Sequence, residues 1–471
     1  MDARIIAVIV LAVFLVLTVS AYYDELTGMI TGEGSWPMKI EGPAAAGQFY
    51  PREKWELEGF MDGLFGEQES RPVQNLKAMI TPHAEYAKAA DVYKAAYQAI
   101  PKGVFTRFII IGPSHYKDFY GFSVPDATHW RTPLGMVKVS MTGLKLESLH
   151  VNDASIYESE HSFETQIPFI QSTLGGDAEV ILIVAGNINP AVLGDVISPY
   201  LDGKTMLIVT SDFGGYMPYD RAVDADRTCI DAVNTLNFTG AYRCQMDGKA
   251  PVMALMYIAQ KNGWAGSLLK YDAAGGKNGA MGFAAVAFSP ARLSDGGKQR
   301  LITLVRETAA SAKAPATDAA SLEPELLRVS GCMVALRRNG VPAGSYGSVF
   351  PKAPLYKCVT DNALALLSEP KYAWVRDTSG NDTVEISVLT APQFVEHISP
   401  DDVIKAVVPG EDGVMISHAG RSMVFFPQAW EDLPDAQQFL TKMCTDMGAS
   451  ADCWTKKEAT IETFRAETFT G

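Results

Sequence analysis

A chain of 471 residues is too long for one ordinary core and is expected to divide into two domains of roughly 150 to 250 residues. Its 40 basic and 54 acidic side chains leave a formal net charge of −14, which repels a phosphate backbone over most of the surface and argues against nucleic acid as a partner. The six cysteines contain no Cys-x-x-Cys pair and no Cys-x₃-Cys-x₂-Cys run, which argues against a zinc ribbon or an iron–sulfur cluster.

Residues 1–30 carry the first element. From Ile5 to Tyr23 the chain holds no charge, about the length that crosses a bilayer as a helix. Val19-Ser20-Ala21 resembles a small-residue cleavage site, so the run reads either as a retained membrane anchor or as a cleaved signal. Arg4 precedes it and Asp24 and Glu25 follow, a polarity that keeps the N-terminus in the cytoplasm and places the remainder outside. In that location disulfides persist, and Cys444 and Cys453, separated by a Gly-containing turn, are expected to pair.

Beyond Gly32, short apolar runs alternate with amphipathic stretches. Leu76 to Ile80, Phe108 to Gly112, Glu179 to Gly186 and Met206 to Phe213 read as buried strands, rich in β-branched residues and ended by Gly, Pro or Asp. ADVYKAAYQAI and SFETQIPFIQSTL read as helices between them. This alternation predicts an α/β domain with a largely parallel sheet. Three of the strands run into polar groups: Thr81-Pro82-His83, Gly112-Pro113-Ser114-His115 and Ser211-Asp212-Phe213. Ligands of open α/β sheets bind beyond the carboxyl ends of the strands, and Pro or Gly there fixes the turn that aims the side chain. Two imidazoles so delivered suit a first-row metal ion; the competing reading is that each caps a loop or satisfies a backbone group.

AAAGQFYP (Ala44 to Pro51), TPHAEY (Thr81 to Tyr86), GPSH (Gly112 to His115), TPLG (Thr132 to Gly135), EHSFETQIPF (Glu160 to Phe169), TSDFGGY (Thr210 to Tyr216) and the stretch from Lys270 to Phe288 resemble the Memo family. The resemblance implies the fold of class III extradiol dioxygenases, whose non-haem iron is held by two histidines and a carboxylate, with a further histidine as acid/base. It makes His83 and His115 the metal-facing imidazoles. Gly215 stands where the family has a histidine, and Asp247 stands where it has a cysteine, with Cys244 three residues earlier outside the matching register. His83, His115 and Asp247 then form a two-histidine, one-carboxylate set suited to Fe(II), with Cu or Zn as alternatives. His161, Asp212 and Tyr216 are further candidates to line the pocket, and His161 or Tyr216 could stand in for the missing acid/base group.

After Pro290 the composition shifts to an amphipathic stretch, Lys298 to Ala312, and an Ala/Pro/Thr-rich link near Ala314 to Ala320. CMVALRRNG, DNALALLSEPKYAWV, EISVLTAP, GVMISHAGRSMVFFPQAW and the closing QFLTKMC-to-DCW segment resemble the AMMECR1 family, which implies a second, α+β domain. Where that family carries a Leu-Arg-Gly-Cys-Ile-Gly loop, this chain reads Pro342-Ala343-Gly344-Ser345-Tyr346-Gly347, without the arginine and the cysteine. No catalysis is assigned to this half. The resulting layout is residues 1–30 as signal or anchor, 31–291 as a Memo-like domain and 292–471 as an AMMECR1-like domain. Both families travel with a radical-SAM protein in the AmmeMemoRadiSam system, which implies such a partner. Two functions remain open: an extracytoplasmic metal- or partner-binding module, or a non-haem Fe(II) dioxygenase-like enzyme acting on a small aromatic molecule.

Overall fold

The computed structural model describes residues 38–66, 72–140, 144, 147–175, 178–276, 279–338, 341–368, 382–395 and 399–471. The uncharged run from Ile5 to Tyr23 lies outside them, and no helix among the described residues is long and apolar enough to cross a membrane.

In the first half, β1 (Ile40–Glu41), β2 (Ala78–Thr81), β3 (Arg107–Pro113), β4 (Phe122–Ser123), β5 (His129–Thr132), β6 (Gly135–Val139), β7 (Glu179–Ala185), β8 (Thr205–Thr210), β9 (Phe213–Met217), β10 (Trp264–Gly276) and β11 (Gly279–Pro290) join in one sheet. Its order is β1-β5-β6-β7-β3-β8-β2-β11-β10, with β4 beside β7 and β9 beside β11. The centre, β6-β7-β3-β8-β2, is parallel. The flanks are not: β5 and β6 are antiparallel, as are β2 with β11 and β11 with β10. The sheet is therefore mixed rather than largely parallel. At the β5–β6 flank the cause is local, because the short turn pairing Thr132 with Gly135 can only send the chain back antiparallel.

Central strands are buried on both faces, and alternate residues enter different cores. Phe108, Ile110, Leu182 and Ile208 pack against helices Lys54–Phe65, Ala90–Gln98 and Ile167–Leu174. Ile109, Ile111, Ile183 and Val209 pack against helices Pro190–Ile197, Tyr219–Asn234 and Lys249–Asn262. The outcome is a three-layer domain in which each fully buried Ile or Val contributes about 1.5–3 kcal/mol. One expected strand is divided. The run from Met206 to Phe213 stops at Thr210, and Phe213 opens β9 opposite Gly282 of β11, leaving Ser211 and Asp212 at the sheet's end.

The second half holds β12 (Gly331–Arg338), β13 (Val341–Ser348), β14 (Asp382–Leu389), β15 (Gln393–Phe394), β16 (Asp412–His418), β17 (Arg421–Phe425) and β18 (Thr460–Thr470), in the order β13-β12-β14-β18-β16-β17 with β15 on β18. Every pairing is antiparallel. Helix Asp295–Ser311 places Leu301, Leu304 and Val305 in the same core as Val334 and Ile386 of this sheet. The Ala/Pro/Thr-rich stretch thus lies inside the second unit, downstream of a helix that belongs to it, and does not separate the halves. All six cysteines are paired, as Cys229–Cys244, Cys332–Cys358 and the expected Cys444–Cys453.

Candidate metal centre

β3, β8 and β2 are neighbours that run the same way, so their carboxyl ends open on one side. His83 follows β2, His115 follows β3, and Ser211-Asp212 follows β8 between them. A fourth segment, Cys244 to Gly248, leads into helix Lys249–Asn262 and closes over this end. It hydrogen-bonds there, with Gly214 N donating to Gln245 O at 3.0 Å. Its approach depends on Gly248, where a Cβ would stand 2.4 Å from Thr210 O and 2.7 Å from Ser211 Cβ.

Asp247 is the group this segment delivers. Its Oδ1 accepts from Asp212 N (2.9 Å), Ser211 Oγ (3.2 Å) and Gly248 N (2.6 Å). Its Oδ2 faces the imidazoles, 3.0 Å from His83 Nε2 and 3.7 Å from His115 Nε2. His83 is buried and Asp247 sits at the opening with 35% of its side chain exposed. Each imidazole is also engaged through its other nitrogen, His83 Nδ1 with Thr210 Oγ1 at 3.2 Å and His115 Nδ1 with Glu160 Oε1 at 2.9 Å. Two ring nitrogens and one carboxylate oxygen therefore converge, with outer partners orienting the rings as in metal sites. These donors fit a divalent cation.

Beneath the site runs a segment that reads as an amphipathic helix but is buried. Glu160, Ser162, Glu164, Thr165 and Gln166 are all inaccessible to solvent, and the segment passes through the short 3₁₀ turn Glu164–Gln166 before helix Ile167–Leu174. Their polar atoms are spent internally. Ser162 Oγ donates to Pro113 O, and Glu164 accepts from Ala44 N, Ala45 N, Tyr50 Oη and Trp130 Nε1. That latch brings Phe49 onto His161, with ring centroids 3.9 Å apart and planes 19° from parallel. His161 lies in turn 4.5 Å from His115 and 5.4 Å from His83 between ring centroids. Its buried Nδ1 has no hydrogen-bond partner.

Electrostatically the cluster is built to hold positive charge. Burial opposes charge on His115, but the Asp247 and Glu160 carboxylates outweigh it and raise the imidazole to about 10. His83 is raised against burial by Asp212 and Asp247. Asp247 is held well below the usual carboxylate range, since His83 and His115 overcome its burial. Burial lifts Asp212 to about 6, offset in part by His83. His161 is pushed down to about 3 by burial and by the two neighbouring imidazoles, so it is neutral at ordinary pH. A divalent ion would replace the protons that His83 and His115 otherwise carry.

Of the residues expected from the sequence, the structure brings His83, His115, Asp247 and His161 together. Asp212 is beside them: its Oδ1 accepts from His83 N at 3.1 Å, and it can join His83 and Asp247 around an ion. Cys244 is bonded to Cys229 and offers no thiolate. Tyr216 and Gly215 lie on β9, and their side-chain surroundings are outside what the structure describes. Glu160 and Thr210, which orient the rings, are absent from the sequence-based set; the one signal for Glu160 is its place beside His161. A cavity of about 470 Å³ adjoins Asp247, lined among others by Lys117, Phe119, Tyr120 and Asn187.

Comparison with known proteins identifies what the two halves resemble. The family described as "Memo-like protein" matches residues 42–288, and the AMMECR1 family matches residues 302–469. A MEMO1 family protein of Methanosarcina mazei is 31% identical over 270 residues, covering 53% of this chain and 99% of the relative. A MEMO1 family protein of Ignicoccus hospitalis is 31% identical over 286 residues, with 53% and 99% covered. Among solved structures, an uncharacterised protein of Pyrococcus horikoshii is similar at 25% identity with a TM-score of 0.34, covering 38% of this chain and 93% of that one.

Proposed function

Since the chain belongs to the Memo-like protein family through residues 42–288 and carries an AMMECR1 domain behind it, we propose that it is an extracytoplasmic divalent-metal protein whose ion is held by His83, His115 and Asp247. The observation that carries this reading is the position of Asp247 Oδ2, 3.0 and 3.7 Å from the Nε2 atoms of two imidazoles whose other nitrogens are already engaged. Two imidazoles and one carboxylate suit Fe(II) with open coordination positions, and Cu or Zn are the alternatives. The bound ion would supply Lewis-acid or redox chemistry to a small molecule. The protein's own part is to fix the donors in place, with Thr210 and Glu160 orienting the rings and Ser211 and Gly248 holding Asp247.

Export is supported by the uncharged Ile5 to Tyr23 run, acting as anchor or cleaved signal, and by the pairing of all six cysteines, since such bonds persist outside the reducing cytosol. A radical-SAM protein of the same system is the proposed partner, and residues 31–291 and 292–471 are the proposed units. A second reading, a dioxygenase-like enzyme for a small aromatic molecule, is favoured by the cavity beside Asp247 and by the neutral His161. With Gly215 in place of a histidine, turnover of simple catechols is expected to be slow or absent.

The test is direct. Purified protein should bind one Fe(II) per chain by anaerobic calorimetry and metal analysis. His83→Ala, His115→Ala and Asp247→Ala should each lower Fe(II) affinity by more than the ~10–100-fold typical of an outer partner, with a weaker residual affinity left to the remaining donors. Ser345→Ala in the second half should change nothing. Binding that persists without both histidines would refute the site.

A further inference from the structure

Glu160 is fully buried, and both of its oxygens are occupied. Oε2 accepts from His115 N at 2.7 Å; Oε1 accepts from His115 Nδ1 at 2.9 Å, His161 N at 3.0 Å and Ser162 N at 2.9 Å. His115 is thus gripped twice by one carboxylate, at its backbone and at its ring. A carboxylate can only accept in such a contact, so Nδ1 must carry the proton and Nε2 must be the atom left to face Asp247. His83 differs, because Thr210 Oγ1 is a hydroxyl and can either donate or accept. His161 differs again. Its Nδ1 lies 3.4 Å from Glu160 Oε1 without hydrogen-bond geometry, and that oxygen already has three donors.

We propose that Glu160 is the positioning residue of the centre, selecting the tautomer and orientation of His115 and of no other imidazole. The proposal rests on the metal-binding reading for its consequence but not for its geometry. Glutamine cannot replace Glu160 in this place, since one of its terminal atoms is an amide nitrogen that would point its hydrogens at N–H donors. A merely structural carboxylate would weaken the fold and, with it, everything the fold supports. A positioning carboxylate acts only through the ring it holds.

The experiment separates these. In metal-free full-length protein, proton–nitrogen NMR at the histidine rings should show a downfield, slowly exchanging Nδ1–H at His115, and Glu160→Gln should remove it while leaving the His161 ring signals in place. In calorimetry with Fe(II), Glu160→Gln should lower affinity about 10–100-fold in the wild-type background. In the His115→Ala background it should lower the residual affinity no further. An equal loss in both backgrounds, or none in the wild type, would overturn the proposal. So would the absence of the Nδ1–H signal in the wild type, a result that does not require any variant to fold. If the wild type binds no Fe(II), the metal reading fails on its own, and the NMR signal still decides the role of Glu160.

Discussion

The two halves of this chain place their polar side chains differently, and sheet direction explains why. In the first half the neighbours β3, β8 and β2 are parallel, so His115, Asp212 and His83 emerge at the same end and are pooled. In the second half every described pairing is antiparallel, so consecutive strand ends point to opposite sides and nothing comparable accumulates among the described residues. The stretch that replaces the Leu-Arg-Gly-Cys-Ile-Gly signature lies along the edge strand β13, with Ser345 exposed opposite Ala335. A cluster of ionisable groups is thus a product of topology before it is a product of composition.

The separation can be tested from the second half inward. Replacing Cys444 and Cys453 together by serine should cost about 2–4 kcal/mol, measured by urea titration with a probe in the second half, because the cross-link restrains the unfolded chain. Fe(II) stoichiometry should be unchanged; its loss would show that the halves are coupled. A matched pair of glycines gives a sharper comparison. Gly248→Ala sets a Cβ 2.4 Å from Thr210 O, and Gly347→Ala sets one 2.7 Å from Cys332 O. Both should destabilise by about 1–3 kcal/mol in urea titrations. Only Gly248→Ala should weaken metal binding, and equal effects on the metal would contradict the contrast between the halves.

The smallest effect is the pH dependence of metal-free protein. His115 is raised to about 10, burial being outweighed by Asp247 and Glu160, from an unfolded value of about 6.5. Its contribution is therefore fully present below about pH 6.5 and is lost as pH rises through about 10. Urea midpoints should fall over that window more in wild type than in His115→Gln. An equal fall in both would remove His115 from the account.

Much of the centre is legible in the sequence, and the illegible part has a common cause. His83 and His115 stand out because each ends an apolar run at a proline turn. Asp212 stands out by following the apolar run of β8, here without a proline. Glu164 does not, since SFETQIPFIQSTL reads as a helix between strands, whereas the structure buries its carboxylate against Ala44 N and Ala45 N; Glu160, two residues before that stretch, is buried in the same way against His115 N. Partners so distant in sequence leave no periodic trace. The antiparallel flanks escape for a related reason: the Ala- and Gly-rich β11 is as apolar as a central parallel strand, and only its pairing with β10 and β2 reveals its direction.

Cys244, three residues before Asp247, is bonded to Cys229. A thiolate at position 247 would be a nucleophile beside that bond, able to attack a sulfur and reshuffle the pairing. It would also be open to oxidation through sulfenic to sulfonic acid, which ends its use as a donor. A carboxylate does neither. Asp247 therefore lets a cross-link and a donor of the proposed centre share one short segment.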